Sequence, residues 1–109
     1  AFVLGRVVDV TPETATVQAV FAPGGELEVS TEATAFLLSG RGGGNARAQV
    51  PREAELHVDD VVHAPSLGGR PVGVIGKIVS SPSNAYSDVF IVFPMNVQAI
   101  RFVYVISDL

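Results

Sequence analysis

The sequence contains no cysteine among its 109 residues, which excludes disulfides, thiol nucleophiles and thiolate metal sites. Charge is also sparse, because only 17% of the residues are Asp, Glu, Lys or Arg, against roughly 25% in an average soluble domain. Lys77 is the only lysine, and the formal net charge is −4. A domain that binds duplex nucleic acid is expected to be basic, since phosphate neutralisation supplies much of its affinity. Nucleic acid is therefore not predicted as a partner.

Long apolar runs and helical periodicity are missing too. The longest apolar run covers residues 89–95, far short of the roughly 20 residues that span a bilayer. No segment of helical length repeats apolar residues at i, i+3, i+4 and i+7, so a parallel sheet with crossover helices is not expected. The chain enters a strand-like run at once from Ala1. We expect it to be a fragment of a longer protein whose targeting signal lies elsewhere.

What the sequence does contain is a series of short runs rich in Val, Ile, Phe, Tyr and Thr, separated by turn residues. Such runs, one every 10 to 15 residues or so, are typical of an all-β barrel or sandwich. We predict a single all-β domain over residues 1–109, a small antiparallel barrel or sandwich of about six to eight short strands. The predicted strands cover residues 2–10, 15–21, 34–39, 46–50, 60–64, 71–80, 88–93 and 101–106.

Two of these segments carry more detailed expectations. In residues 15–21, polar Thr16 and Gln18 alternate with apolar Val17, Ala19 and Phe21, which predicts a strand with one buried face. The polar residues 22–28 that follow are interpreted as a turn. Residues 51–56 have helical character for one turn at most.

A glycine-rich segment is the main candidate for partner contact. It consists of Gly40, Arg41, Gly42, Gly43, Gly44 and Asn45. Its glycines favour an irregular hairpin tip, and it lacks the Lys and Ser/Thr that a phosphate-binding P-loop needs. We predict a hairpin loop that could contact a partner, and the turn at residues 22–28 is a second candidate.

No catalytic, cofactor-binding or metal-binding residue is predicted. His57, Asp59 and His63 would share one face of an extended strand, yet the two histidines would lie about 20 Å apart there. They are interpreted as a solvated turn rather than a metal site. Ser66 lies near His63 in the sequence without a nucleophile elbow. The carboxylate pair Glu26 and Glu28 is interpreted as a solvated rim.

The order of several motifs resembles the MreC family of rod shape-determining proteins. Residues 5–10 resemble its Gly-x-Val-x-x-Val strand, and residues 69–78 resemble its Pro-Val-Gly-containing strand. Residues 94–105 are similar to its closing segment. In residues 58–62, Asp60 and the valines are kept, but Asp59 stands where the family favours glycine.

This resemblance implies a non-enzymatic role and no cofactor. Members of the family scaffold the cell-elongation machinery that synthesises peptidoglycan, through protein–protein binding and self-association. The implied partners are a penicillin-binding transpeptidase, MreD and other subunits of the elongation complex. The implied location is the periplasmic or extracytoplasmic face of the inner membrane, with contact to the membrane only through an N-terminal anchor outside this sequence.

Two other functions stay open from the residues alone. A β-domain that binds glycans or other small molecules would use the Gly-rich loops and the aromatic residues Phe90, Phe93, Phe102 and Tyr104, although core packing explains these aromatics better. An enzyme with a degenerate chymotrypsin-like barrel would depend on His57 and His63.

Overall fold

A computed structural model of the protein describes residues 2–95. The strand predicted at residues 101–106, with Phe102 and Tyr104, lies outside the described residues. Eight β-strands and one short 3₁₀ turn (Pro65–Leu67) form within the described part. The strands are β1 (Gly5–Val10), β2 (Ala15–Ala19), β3 (Glu26–Ser30), β4 (Ala35–Gly42), β5 (Asn45–Pro51), β6 (Val61–Ala64), β7 (Arg70–Val79) and β8 (Tyr86–Val92).

The six strands β3 to β8 close into an antiparallel barrel, which confirms the predicted all-β class. Their order around the barrel is β3-β4-β5-β8-β7-β6. Strands β7 and β8 pair with each other, with Ile75 opposite Ile91. Closure depends on a single bridge between β3 and β6, where Ser30 lies opposite His63.

The barrel core follows from strict alternation along the strands. In β4 and β5, every second residue is buried and the residues between are exposed or half-buried. The inward set is apolar except for Ser87, whose hydroxyl pairs with that of Ser80 at 2.7 Å. The largest fully buried side chains are Phe21, Leu38, Ile75, Ile91, Val29, Val62, Val72 and Val89.

Glycines let the barrel walls approach one another and bend. A Cβ at Gly73 would lie 2.8 Å from Ile91 Cγ2 and 2.9 Å from the Val92 carbonyl oxygen. Gly76 is the extra residue where the register of β7 against β8 shifts. A bulge of this kind increases the local coiling that a small barrel requires.

The interpretation of residues 22–28 as a turn is wrong for its second half. Glu26–Ser30 form β3, which pairs along its whole length with β4. The signal was present as an alternation in which Leu27 and Val29 point to the core side and Glu28 points out. The strand was missed because two of its five residues are glutamates, and acidic residues are depleted in strands. Both glutamates lie on the outer face of β3.

The irregular segment predicted at residues 40–45 is also shorter than expected. β4 continues through Gly42 and β5 begins at Asn45, so only Gly43 and Gly44 lie between the strands. Residues 51–56 contain turns and no helix.

The largest difference from the sequence-based expectation concerns β2. Its five residues, Ala15–Ala19, are exposed on both faces, although their alternation predicted one buried face. Strands β1 and β2 form a separate two-stranded sheet, and β2 has no other partner strand within residues 2–95. Of the apolar residues predicted to line its buried side, Phe21 alone is buried, and it lies beyond the end of the strand.

Candidate partner-binding surfaces

The β1–β2 hairpin has one apolar face and one polar face. The register pairs Val7 with Val17 and Val10 with Ala15. Directly opposed residues share a face of a sheet, so these four residues lie together with Ala19. Arg6 pairs with Gln18 and Asp9 with Thr16 on the other face.

A bulge in β1 creates this segregation. The register shifts between Val7 and Asp9, so Val8 is an extra residue without an opposite partner. Side chains alternate with a period of two, and without an extra residue Val7 and Val10 would face opposite sides. The bulge returns Val10 to the side of Val7, which no periodicity in the sequence reveals.

The apolar face is open to solvent. Val10 is 69% exposed, Val17 44% and Val7 37%. Exposed apolar residues are common singly, but a contiguous set on one sheet face is typical of an interaction surface.

The hairpin is closed at its tip by hydrogen bonds within the turn and is attached to the barrel at its base. At the tip, Thr14 N–H donates to Thr11 Oγ1 at 2.9 Å, and Thr11 N–H donates to the Thr14 carbonyl at 2.8 Å. At the base, Val3 N–H donates to the Pro71 carbonyl at 2.8 Å, and the Phe2 and Phe93 rings meet edge to face at 6.3 Å. The hairpin therefore presents its apolar face in a defined direction from the barrel.

The predicted partner-contact loop separates into structural and exposed residues. Gly40 is buried, its N–H donates to the Gly25 carbonyl at 2.7 Å, and a Cβ there would lie 2.6 Å from the Phe21 carbonyl carbon. Gly40 is therefore a structural residue. Glycine is required at this position because its backbone lies directly against the backbone of Phe21.

The exposed residues of this loop are Arg41, Gly43 and Asn45. Gly42, Gly43 and Gly44 have positive φ angles of 83°, 64° and 79°, a conformation that glycine adopts readily. Asn45 Nδ2 donates to the carbonyls of Gly42 and Gly43, both at 3.4 Å. The loop is thus organised by its own hydrogen bonds, and partner contact by residues 40–45 stays a prediction.

An apolar groove of about 180 Å³ lies between this loop and the hairpin base. Its wall is mostly apolar and includes Leu4, Val20, Pro23 and Phe93. Because Ala19 lies both in this groove and on the apolar face of the hairpin, the two surfaces are continuous.

A second cavity, of about 360 Å³, contains the histidines considered as metal ligands. His57 N–H donates to Asp60 Oδ2 at 2.9 Å, and Asp59 adopts a positive φ of 77°, so the segment turns instead of running extended. His63 Nδ1 lies 3.1 Å from the Gly69 carbonyl oxygen. Within residues 2–95, no three His, Asp or Glu side chains converge as a metal site would require. His57, Asp59 and Asp60 belong to the turn that leads into β6, and His63 lies within β6.

Aromatic residues of the described part do not form a platform for sugars. Phe21, Phe36 and Phe93 are buried in the core, and Phe90 is half-buried. Tyr86 is exposed by 53% but lies at the start of β8, away from the groove residues.

The sequence and the fold of this chain are similar to those of one protein family. A family model described as "Rod shape-determining protein MreC, barrel core" matches residues 1–107. The chain belongs to the MreC family. The family is one of shape-determining proteins, and its model covers the hairpin and the barrel alike.

Two solved MreC structures share this fold. One is MreC from Pseudomonas aeruginosa, with 20% sequence identity and a TM-score of 0.73 over 84% of this chain and 65% of that chain. The other, titled MreC, has 21% identity and a TM-score of 0.73 over 90% of this chain and 61% of that chain. This chain thus spans less than two thirds of either relative. Among curated proteins, none matches the sequence significantly.

The part of this MreC-family chain that the structure describes contains no helix long and apolar enough to cross a bilayer.

Proposed function

We propose that this chain is a non-catalytic scaffold domain of the bacterial cell-elongation machinery and acts by binding other proteins. Its partners would be a penicillin-binding transpeptidase, MreD and other subunits of the elongation complex. Binding would take place at the extracytoplasmic face of the inner membrane, where peptidoglycan is assembled. Membership of the MreC family supports the role in rod shape.

The observation that carries the proposal is the apolar face of the β1–β2 hairpin. Val7, Val10 and Val17 lie together on that face and are exposed by 37%, 69% and 44%. A bound protein would remove this apolar area from water, at roughly 25 cal/mol per Å² before the cost of association is subtracted. The adjoining groove lined by Leu4, Val20 and Pro23 would extend the contact.

The experiment that tests this function is affinity capture. The chain is immobilised, incubated with a detergent extract of membranes from a rod-shaped bacterium, and the retained proteins are identified by mass spectrometry. The test variant is the double substitution Val10→Thr and Val17→Thr, which keeps β-branched side chains but removes apolar surface from the face. The matched control is Gln18→Thr, which changes the polar face of the same strand.

We expect the chain and the Gln18→Thr control to retain a penicillin-binding transpeptidase or another elongation-complex subunit. The double variant should retain several-fold less. Urea denaturation of all three proteins checks that they are equally folded. Retention of no elongation-complex subunit by the folded chain would overturn the proposed function, and equal retention by the double variant would show that the hairpin face is not the binding surface.

A further inference from the structure

The outer surface of the barrel has a mainly apolar sheet face on strands β6, β7 and β8. The register defines it, because Val92 lies opposite Val74, and Val74 lies opposite Val61 on its other side. Along β8, every second residue points outwards from the core. The apolar side chains of this face, which we call the lysine face after the charged residue within it, are Val61, Val74, Val79, Tyr86, Phe90 and Val92.

Lys77 lies within this face because of the bulge in β7. Gly76 is the extra residue of β7 in its register against β8, and Lys77, which follows it, lies opposite Phe90. Side chains alternate with a period of two, so without the extra residue Val74 and Lys77 would point to opposite sides of the strand. The bulge places Lys77 on the outer side, between Val74 and Val79.

The lysine face is accessible in the part of the chain that the structure describes. Val61, Val79 and Tyr86 are exposed by 40%, 42% and 53%, Lys77 is exposed and Phe90 is half-buried. None of these residues belongs to the β1–β2 hairpin or to the groove at its base. A contiguous set of apolar side chains on one sheet face is typical of an interaction surface, and this set is separate from that of the hairpin.

Lys77 decides which chemistry can cover this face. Within residues 2–95 it forms no ion pair, and the neighbouring charges of Arg47 and Asp88 pair with each other at 2.7 Å. A partner that covers the apolar side chains also covers the ammonium group among them, and burial of an unpaired charge is strongly unfavourable. A carboxylate opposite Lys77 removes this cost through a charge-assisted hydrogen bond. The net charge of −4 disfavours an anionic lipid surface as the source of the negative group.

We propose that the lysine face is a second protein-binding surface, and that its partner presents an apolar surface with an Asp or Glu side chain at its centre, opposite Lys77. The inference goes beyond the proposed function, which depends on the apolar face of the hairpin. With two separate surfaces, one chain would hold two different proteins at once.

Carbodiimide cross-linking tests this pairing, because it joins an amine to a carboxylate that lies in contact with it. The reagent activates the partner's carboxylate, the Lys77 amine attacks the acyl carbon, and a urea leaves as the amide bond forms. Lys77 is the only lysine, so a cross-linked peptide that contains it is assigned without ambiguity. The chain is incubated with a detergent extract of membranes from a rod-shaped bacterium, treated with the reagent, and its cross-linked peptides are identified by mass spectrometry.

We expect Lys77 to be joined to one Asp or Glu side chain of one partner protein. In affinity capture without the reagent, Lys77→Arg should retain that protein, because it keeps the positive charge, and Lys77→Glu should retain several-fold less. Val79→Thr should also lower the retention. Leu37→Thr, the matched control at an exposed apolar residue of β4, should not. Urea denaturation checks that the four variants are equally folded.

The proposal is overturned by the absence of a cross-link to Lys77, by a link from Lys77 to a carboxylate of this chain itself, or by equal retention of the linked protein by Lys77→Glu. None of these results bears on the proposed function, since capture of an elongation-complex subunit through the hairpin does not depend on Lys77.

Discussion

The barrel and the β1–β2 hairpin are both built from short strands rich in valine, but they use those valines differently. In the barrel, Val29, Val62 and Val89 are fully buried, whereas in the hairpin Val7, Val10 and Val17 are exposed. Every barrel strand has a neighbour on each side, while β2 pairs with β1 alone within residues 2–95. A two-stranded hairpin is at best marginally stable by itself. The comparison indicates that the barrel supplies the stability, whereas the hairpin presents an exposed apolar surface.

The comparison is tested most severely by removing apolar volume from each region. Ile75→Ala leaves a cavity in the barrel core and should lower the free energy of unfolding by about 2–5 kcal/mol. Val10→Ala on the hairpin should change it by no more than about 0.5 kcal/mol, because the side chain is 69% exposed. Urea denaturation followed by circular dichroism measures both. Similar losses for the two variants would show that the hairpin face is part of the core.

Glycine substitutions test which residues are structurally required where the barrel meets the hairpin. Gly40→Ala forces a Cβ against the backbone of Phe21 and should cost about 1–3 kcal/mol of unfolding free energy. Gly43→Asn should cost less, since Asn tolerates positive φ and the site has no close neighbour except the Asn45 side chain at 3.6 Å. The midpoint of thermal unfolding distinguishes them. A larger loss at Gly43 would contradict the structural role assigned to Gly40.

Removing a surface ion pair from the barrel should lower the free energy of unfolding by a smaller amount. Arg47 Nη2 lies 2.7 Å from Asp88 Oδ1 across β5 and β8, with both side chains partly exposed. Arg47→Met should lower the free energy of unfolding by about 0.2–1 kcal/mol, and the difference should shrink in 1 M NaCl because salt screens exposed charges. Asp88→Asn in the Arg47→Met background is the control and should add little. If the losses of stability from the two substitutions add in the double variant, the Arg47 and Asp88 side chains do not stabilise each other.

The smallest effect is expected from deleting Val8. The deletion leaves the pairs of Val7 with Val17 and of Val10 with Ala15 unchanged, because Val8 is the unpaired residue of the bulge. Stability should change by about 0.5 kcal/mol or less, and capture of partners through the apolar face should persist. Deleting Val17 instead, as the control, removes a member of that face and should weaken capture. Loss of folding on deletion of Val8 would contradict the assigned register.

Much of the fold could be predicted from the sequence because alternation and turn residues are local signals. The all-β class and the approximate positions of β4, β5, β7 and β8 follow from them. The candidate surface could be predicted less well. The period-two pattern of β2 correctly separated Val17 and Ala19 from Thr16 and Gln18, but burial of that face depends on what packs against it, which alternation does not encode.

An antiparallel all-β class, the absence of thiol chemistry and the family can be read from the amino-acid sequence, because composition, alternation and motif order are properties of the chain alone. Within residues 2–95, only the three-dimensional packing shows which six strands close into the barrel and which two stay outside it. It also decided that Val8 bulges, so that Val10 joins Val7 on one face, and that Gly40 meets the Phe21 backbone. These outcomes depend on contacts between residues far apart in the sequence, for which a local pattern carries no signal.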